Sequence, residues 1–228
     1  MDGFFSNYFR VTCGIRQGGV LSPYLFSVYI DSIFSKIQES CIGCHLGFLC
    51  YNIILFADDM LLISPSVTGL QKLLSICEKE LEFLDLSVNA KKSFCLRIGP
   101  RHRSICANIC TSAGEIVSWA SEIRYLGIFI KSAMHFKCSL DNAKQSFFRS
   151  FNAVYGKIGV FAKDEFLIEL VKSKCLPSLL YATEALPLSK ADINSLEFTF
   201  NRIMFKIFKT SFIDVIHVSH SICRLLVI

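Results

Sequence analysis

The stretch Phe56-Ala57-Asp58-Asp59 lies between two apolar runs, residues 53–55 and 60–63. Such runs favour β-strands, and an acidic pair between them predicts the turn of a hairpin with arms at 53–56 and 60–63. Adjacent carboxylates in apolar surroundings are costly unless water or a divalent cation compensates them. Taken alone, the stretch leaves two interpretations open, a metal-binding turn and an ordinary solvated turn.

Side chains alternate along a strand, which bears on how the two acids could share a ligand. If both lay in extended backbone, they would point to opposite faces. We therefore expect Asp58 to be the main metal ligand and Asp59 an accessory one. A two-metal site with ions roughly 3.5–4 Å apart would also need a carboxylate from a neighbouring strand.

A second cluster precedes the hairpin and reads Arg16-Gln17-Gly18-Gly19-Val20-Leu21-Ser22-Pro23. A Gly-Gly pair lets backbone approach a ligand closely, and Arg16 and Gln17 carry donors suited to phosphate, sugar or base edges. Ser22 followed by Pro23 predicts the start of a helix that runs to about Ser40. The alternative is a Gly-rich strand-to-helix turn without a ligand.

Apolar periodicity predicts the remaining elements. It indicates a strand before Gly14, a hairpin within 43–63, a helix at 68–86 and strands near 93–98 and 123–130, with a turn at 112–115. Helical spacing dominates afterwards, at 140–157, 165–174 and 193–208. The pattern predicts an α+β fold with a boundary near residue 135, where a mixed part gives way to an all-α part.

Composition limits the class of protein. The 228 residues are 52% apolar with 13% aromatic residues, which argues against a disordered tail. The longest apolar stretch is broken by Asp58 and Asp59, so we expect no membrane span. We find no signal peptide and expect a nuclear or cytoplasmic protein that is not secreted. The net charge of +5 and a basic run at 91–103 suit a polyanionic partner, although a solvated face is the common alternative.

The two clusters taken together resemble reverse transcriptases of non-LTR retrotransposons, and the resemblance continues in order along the chain. Residues 86–89 with Lys91 and Lys92 are similar to the family's next block, and residues 124–128 to its primer-grip hairpin. Pro177, Leu180, Tyr181 and Glu184 resemble a signature in the helical thumb, with Ala182 where Gly is usual. The similarity extends over roughly residues 8 to 210.

The resemblance implies a fold and a set of roles. It implies a partial polymerase palm, an antiparallel sheet with packed helices, at 1–135 and a helical thumb or connection region at 136–228. The implied metal-binding and catalytic residues are Asp58 and Asp59, with Mg²⁺ as the cofactor and Mn²⁺ as the alternative. The implied nucleotide- and template-binding residues are Arg16, Gln17, Gly18 and Lys92. The implied primer grip is Tyr125, Leu126 and Gly127.

The resemblance also implies partners and a missing part. The partners are an RNA template, a DNA primer, dNTPs and an upstream fingers-palm segment that carries the first catalytic Asp in family members. No Asp ahead of Arg16 lies in a suitable strand, since Asp2 is at the terminus. We expect an incomplete RNA-directed DNA polymerase. The alternative is a catalytically inactive retroelement remnant with at most non-specific nucleic-acid binding.

Two cysteine patterns have competing interpretations. Residues 41–45 match the Cys-x-x-Cys-His pattern of haem attachment, but without an export signal buried thiols are the better interpretation. Cys95, His102, Cys106 and Cys110 could form a zinc site, although their spacing matches no common zinc motif. The 11 Cys are an odd number, and we expect mostly reduced thiols.

Overall fold

The computed structural model of the chain describes residues 18–159 and 161–209. The chain folds into two compact units. Among the described residues, the first contains 18–95 and 105–119, and the second contains 96–104, 120–159 and 161–209.

The first unit is built on two amphipathic helices, both of which the sequence predicts. Helix α1 spans Ser22–Glu39, has Pro in its first turn and buries Ile30, Ile33 and Ile37. Helix α2 spans Val67–Phe83, and the side chain of its N-cap Ser66 accepts a hydrogen bond from the Gly69 N–H. Both buried faces follow the three- and four-residue spacing of an α-helix.

Helix α2 ends three residues before the predicted end because the chain turns at Asp85. Asp85 has a left-handed φ of +54°. The Leu86 N–H donates to the Leu81 carbonyl at 2.8 Å, and the Asp85 N–H donates to the Glu82 carbonyl at 3.1 Å. This pair of hydrogen bonds is a Schellman motif, in which Asp takes the position usually held by Gly.

Two hairpins connect these helices, where the sequence suggested one between 43 and 63. Strands β1 (Cys44–Leu46) and β2 (Leu49–Tyr51) form the first. Strands β3 (Ile53–Phe56) and β4 (Asp59–Leu62) form the second. Buried Asn52 separates the two, and its Nδ2 donates to the Ile37 carbonyl at 2.7 Å. The side chain of this residue thus attaches the hairpins to the end of α1.

A small three-stranded sheet completes the first unit. It contains β5 (Phe94–Cys95), β6 (Ile109–Cys110) and β7 (Ile116–Trp119). The order is β5-β7-β6, with β5 parallel and β6 antiparallel to β7. Gln71 of α2 holds this sheet, since its side chain bonds both the N–H and the carbonyl of Cys110.

The second unit pairs an antiparallel sheet with a helical region. Strands β8 (Glu122–Tyr125), β9 (Ile128–Lys131) and β10 (Lys137–Ser139) lie in the order β10-β9-β8. The helices are α3 (Asp141–Ile158), α4 (Asp164–Leu170), α5 (Leu176–Leu179) and α6 (Lys190–Phe208). A π-helical turn, Val171–Cys175, joins α4 to α5, so the helix predicted at 165–174 changes its hydrogen bonding in its second half.

Aromatic side chains form the centre of the second unit. Phe147, Phe151 and Phe200 are fully buried, and the Phe147 and Phe200 rings stack with centroids 6.5 Å apart. Helix α6 begins with a capping box between Ser189 and Asp192, and the Ser189 hydrogen bonds hold the pKa of the Asp192 carboxyl below its usual value.

The predicted mixture of helices and small sheets, an α+β fold, is confirmed. The boundary near residue 135, between a partial palm and a helical thumb or connection region, stays a prediction. Within residues 18–159 and 161–209, no helix is both long and apolar enough to cross a membrane.

Candidate catalytic and nucleic-acid site

The acidic hairpin has a two-residue turn formed by Ala57 and Asp58. Asp59 is the first residue of β4 and pairs with Phe56, so the second arm of the hairpin begins one residue earlier than the sequence suggested. Both carboxylate residues are exposed. Because Asp58 is in the turn, strand alternation does not determine the relative directions of the two side chains.

Ala57 has a left-handed φ of +52°. For a residue with a Cβ this conformation costs roughly 1–2 kcal/mol, and such outliers cluster at functional sites. The strained residue immediately precedes Asp58. The turn therefore holds the first carboxylate at the tip of the hairpin rather than along the strand.

Metal ligation requires more groups than this turn supplies. Carboxylate oxygens are the donors that Mg²⁺ prefers, so Asp58 and Asp59 fit such an ion by chemistry. In the described part of the chain, no three His, Cys, Asp or Glu side chains form a group that could hold a metal ion. The described residues thus contribute one acidic pair to a metal site that requires further ligands.

The residues predicted to contact nucleotide and template are only partly described. Arg16 and Gln17 lie outside the described residues, which begin at Gly18. Gly18 has a φ of +81°, a conformation that glycine adopts without strain. Lys92 lies in a turn after Asn89, where its N–H donates to the Asn89 carbonyl at 3.1 Å and to Oδ1 at 3.2 Å. The Lys92 side chain is exposed.

The turn predicted to hold the primer lies in the second unit, between β8 and β9. Tyr125 pairs with Ile128 across it. Its two central residues, Leu126 and Gly127, have φ values of +46° and +84°. Two positive φ angles are the requirement of a type I′ hairpin turn, which follows the right-handed twist of the strands.

Tyr181 packs on this turn, a contact that the sequence did not predict. The Tyr181 hydroxyl donates to the Leu126 carbonyl at 3.0 Å, across 55 positions of sequence. A Cβ added to Gly127 would lie 3.0 Å from Cε1 of the Tyr181 ring. The hairpin turn and the signature at 177–184 therefore meet, and the only hint in the sequence was that each resembled a conserved block.

Gly127 is expected to be sensitive to substitution for two separate reasons. Gly127→Ala should lower the free energy of unfolding by about 2–3 kcal/mol, because the left-handed φ penalises a Cβ and the Tyr181 ring crowds it. Urea denaturation of the full chain would measure the loss. Gly114→Ala is the matched control, since Gly114 has a φ of +82° and no atom within 4 Å of an added Cβ. An equal loss in both variants would contradict the packing of Tyr181 on the turn.

Comparison with known proteins identifies a family for this chain. The family described as reverse transcriptase (RNA-dependent DNA polymerase) matches residues 4–130. The Pol polyprotein of the type-2 retrotransposable element R2DM from Drosophila melanogaster is 32% identical over 148 residues, which is 60% of this chain and 14% of the relative. The RNA-directed DNA polymerase from the mobile element jockey of the same fly is 24% identical over 158 residues, 64% of this chain and 16% of the relative.

A wasp sequence extends the comparison. The Pol polyprotein of the type-1 element R2 from Nasonia vitripennis is 32% identical over 93 residues, 41% of this chain and 9% of the relative. The chain thus spans about one seventh or less of the R2 relatives it matches. Because the family match extends over more than half of the 228 residues, the chain belongs to the reverse transcriptase family, in its non-LTR retrotransposon branch.

Proposed function

We propose that this chain supplies part of the active site of an RNA-directed DNA polymerase. The observation that carries the proposal is the exposed Asp58-Asp59 turn, which lies inside the stretch matched by the reverse transcriptase family. The Gly18 turn precedes it and the Tyr125 hairpin follows it, in the order of that family. The matched R2DM and jockey proteins are much longer chains, of which this chain spans 14% and 16%.

The roles of individual residues follow from their chemistry. Asp58 and Asp59 would hold Mg²⁺, or Mn²⁺ in its place. The bound ion supplies Lewis-acid stabilisation of the charge on the phosphoryl oxygens and lowers the pKa of the primer 3′-hydroxyl. Exposed Lys92 would attract the triphosphate of the incoming dNTP. Arg16, Gln17 and Gly18 would position template and nucleotide, and Tyr125, Leu126 and Gly127 would hold the primer end.

A two-metal reaction needs more carboxylates than the acidic turn provides. We infer that the further ligand comes from outside the described residues, from a fingers-palm segment of a longer polyprotein. Residues 1–135 would then form part of the palm and residues 136–228 the thumb. That assignment is supported by the short strands concentrated before Ser139 and the helices that follow Leu140.

Primer extension by a reconstituted pair of proteins tests the proposal. The full chain alone, with an RNA template, a DNA primer, dNTPs and Mg²⁺, is expected to extend no primer. Addition of the R2DM segment that precedes the matched region should restore extension. A protein that joins this segment to the present chain in one polypeptide is the positive control.

The outcomes separate catalysis from its alternative. Templated extension that requires both parts would support the polymerase proposal. If both the mixture and the joined protein bind the primer–template but add no nucleotide, the chain is better described as a remnant that binds nucleic acid without catalysis. Extension by the chain alone would overturn the inference that a ligand is supplied from elsewhere.

A further inference from the structure

A basic loop of the second unit, residues 97–104, has no role in the site described above. It reads Arg97-Ile98-Gly99-Pro100-Arg101-His102-Arg103-Ser104, within the stretch 86–114 that contains five Lys or Arg and no Asp or Glu. A run of cations on an exposed segment is usually only a solvated face. The internal structure of this loop makes that interpretation insufficient.

The loop is organised around the side chain of Arg97. Its Nη1 donates to the carbonyl of Arg101 at 2.7 Å and to the carbonyl of Ser104 at 3.1 Å. Main-chain bonds from His102 to Gly99 and from Ser104 to Arg101, each 3.0 Å, tighten the same segment. One guanidinium thus holds two carbonyls of its own loop, a use that its rigid fork of donors permits.

The loop is also attached to the hairpin formed by β8 and β9. The Gly99 N–H donates to the Ala133 carbonyl at 2.9 Å, and the Ser132 hydroxyl donates to the Arg97 carbonyl at 2.8 Å. Both attachment points directly follow Lys131, the last residue of β9. The loop therefore lies at the end of the hairpin opposite to the Leu126-Gly127 turn.

Two arginines remain available for a ligand. Arg101 and Arg103 are exposed, and neither forms an ion pair with a residue in the described part of the chain. The acids Glu122 and Asp141 lie 3.7 and 3.3 Å from Lys131, which offsets one of their two negative charges. The loop thus presents two guanidinium groups on a backbone held by internal hydrogen bonds, so little backbone conformational entropy is lost on binding.

We propose that the basic loop binds the phosphate backbone of nucleic acid, with Arg101 and Arg103 as the contacts and Arg97 as the positioning residue. Guanidinium groups match phosphate oxygens in geometry and charge. The loop has no Phe, Tyr or Trp on which a base could stack, so the contact is independent of base sequence.

The location of the loop on the hairpin makes this proposal more specific. This more specific form rests on the proposed polymerase function. From Ile128 to Ser132 the strand rises about 13 Å at roughly 3.3 Å per residue. A duplex rises about 3.4 Å per base pair. If the Leu126-Gly127 turn holds the primer end and the duplex axis runs along the strand, the loop meets the backbone about four base pairs from that end.

Binding of a fluorescently labelled RNA–DNA duplex by the full chain tests the proposal, with anisotropy measured over a range of salt concentrations. Arg101→Ala/Arg103→Ala is expected to bind about tenfold more weakly. The slope of log affinity against log salt concentration should fall by the amount expected for the loss of about two phosphate contacts. The charge-matched control Lys36→Ala/Lys79→Ala removes two exposed cations of the first unit and should change the affinity less than twofold.

Arg97→Lys tests whether the hydrogen bonds that organise the loop contribute to binding separately from its charge. Lysine keeps the charge but cannot bridge two carbonyls with a planar fork. We expect an affinity between those of the wild type and the double arginine variant, with an unchanged far-UV circular dichroism spectrum. Hydroxyl-radical footprinting should show that Arg101→Ala/Arg103→Ala loses protection about four base pairs from the primer end.

Each opposite result has a distinct meaning. Equal weakening by the two double variants would overturn the loop proposal and leave the polymerase proposal intact, since primer extension measures the latter separately. A wild-type chain that binds no duplex would contradict both. Polyglutamate that binds as tightly as the duplex, through the same two arginines, would reassign the loop to an acidic protein partner and overturn a nucleic-acid site.

Discussion

Asp58→Asn is expected to slow templated primer extension by about a thousandfold in the reconstituted enzyme. Asparagine keeps the shape of the side chain but removes the charge that would hold the metal ion. Charge stabilisation by such an ion contributes several kcal/mol to the transition state, and about 4 kcal/mol corresponds to a factor of a thousand at 1.36 kcal/mol per tenfold. The extension rate at saturating primer–template and dNTP measures the loss.

Asp85→Asn is the matched control for this experiment. Asp85 is exposed in the same unit, and its left-handed φ of +54° is a conformation that asparagine tolerates well. The control makes the same change in charge and should leave the extension rate within about twofold of wild type. If Asp58→Asn extended primers as fast as Asp85→Asn, the Asp58 turn would not be the metal site.

Phe200→Ala should lower the free energy of unfolding by about 3–5 kcal/mol, the range for a large aromatic side chain removed from a core. Phe200 has no exposed surface and stacks against Phe147, so the truncation leaves a cavity between α3 and α6. Urea denaturation followed by far-UV circular dichroism would measure the loss.

Phe198→Ala on the same helix is the control for the core of the second unit. Phe198 is 67% exposed, so its truncation should change the free energy of unfolding by only about 0.5 kcal/mol. The two substitutions remove the same atoms two positions apart. Similar losses in both variants would show that α6 does not bury its Phe200 face in solution.

Helix periodicity made much of this fold predictable. The apolar spacing of Ile30, Ile33 and Ile37 and the Ser22-Pro23 start defined α1 to within one residue, because both signals are local. The parallel pairing of β5 with β7 escaped prediction, since it depends on residues more than 20 positions apart that form strands of only 2 and 4 residues. Such short strands carry too little alternation to indicate a partner.

The candidate site was predictable in its chemistry and less so in its geometry. The Asp58-Asp59 pair was recognised from the sequence, but the start of β4 one residue earlier than predicted depends on a strained Ala57, where local preference favours Gly or Asn. The contact between Tyr181 and Leu126 arises only when the chain folds back over the hairpin. No local pattern encodes such a contact. The assignment of catalytic and binding roles to these residues stays a prediction.

Ala182, which follows Tyr181, has a further consequence for how this lineage can change. Its φ of +61° is one that glycine adopts freely. The methyl group there costs roughly 1–2 kcal/mol, partly offset because alanine restricts the unfolded chain more than glycine by about 0.4–1 kcal/mol. Alanine and glycine codons differ by a single base. One transversion at this codon would therefore increase the free energy of unfolding. That increase would offset a later destabilising mutation elsewhere in the second unit.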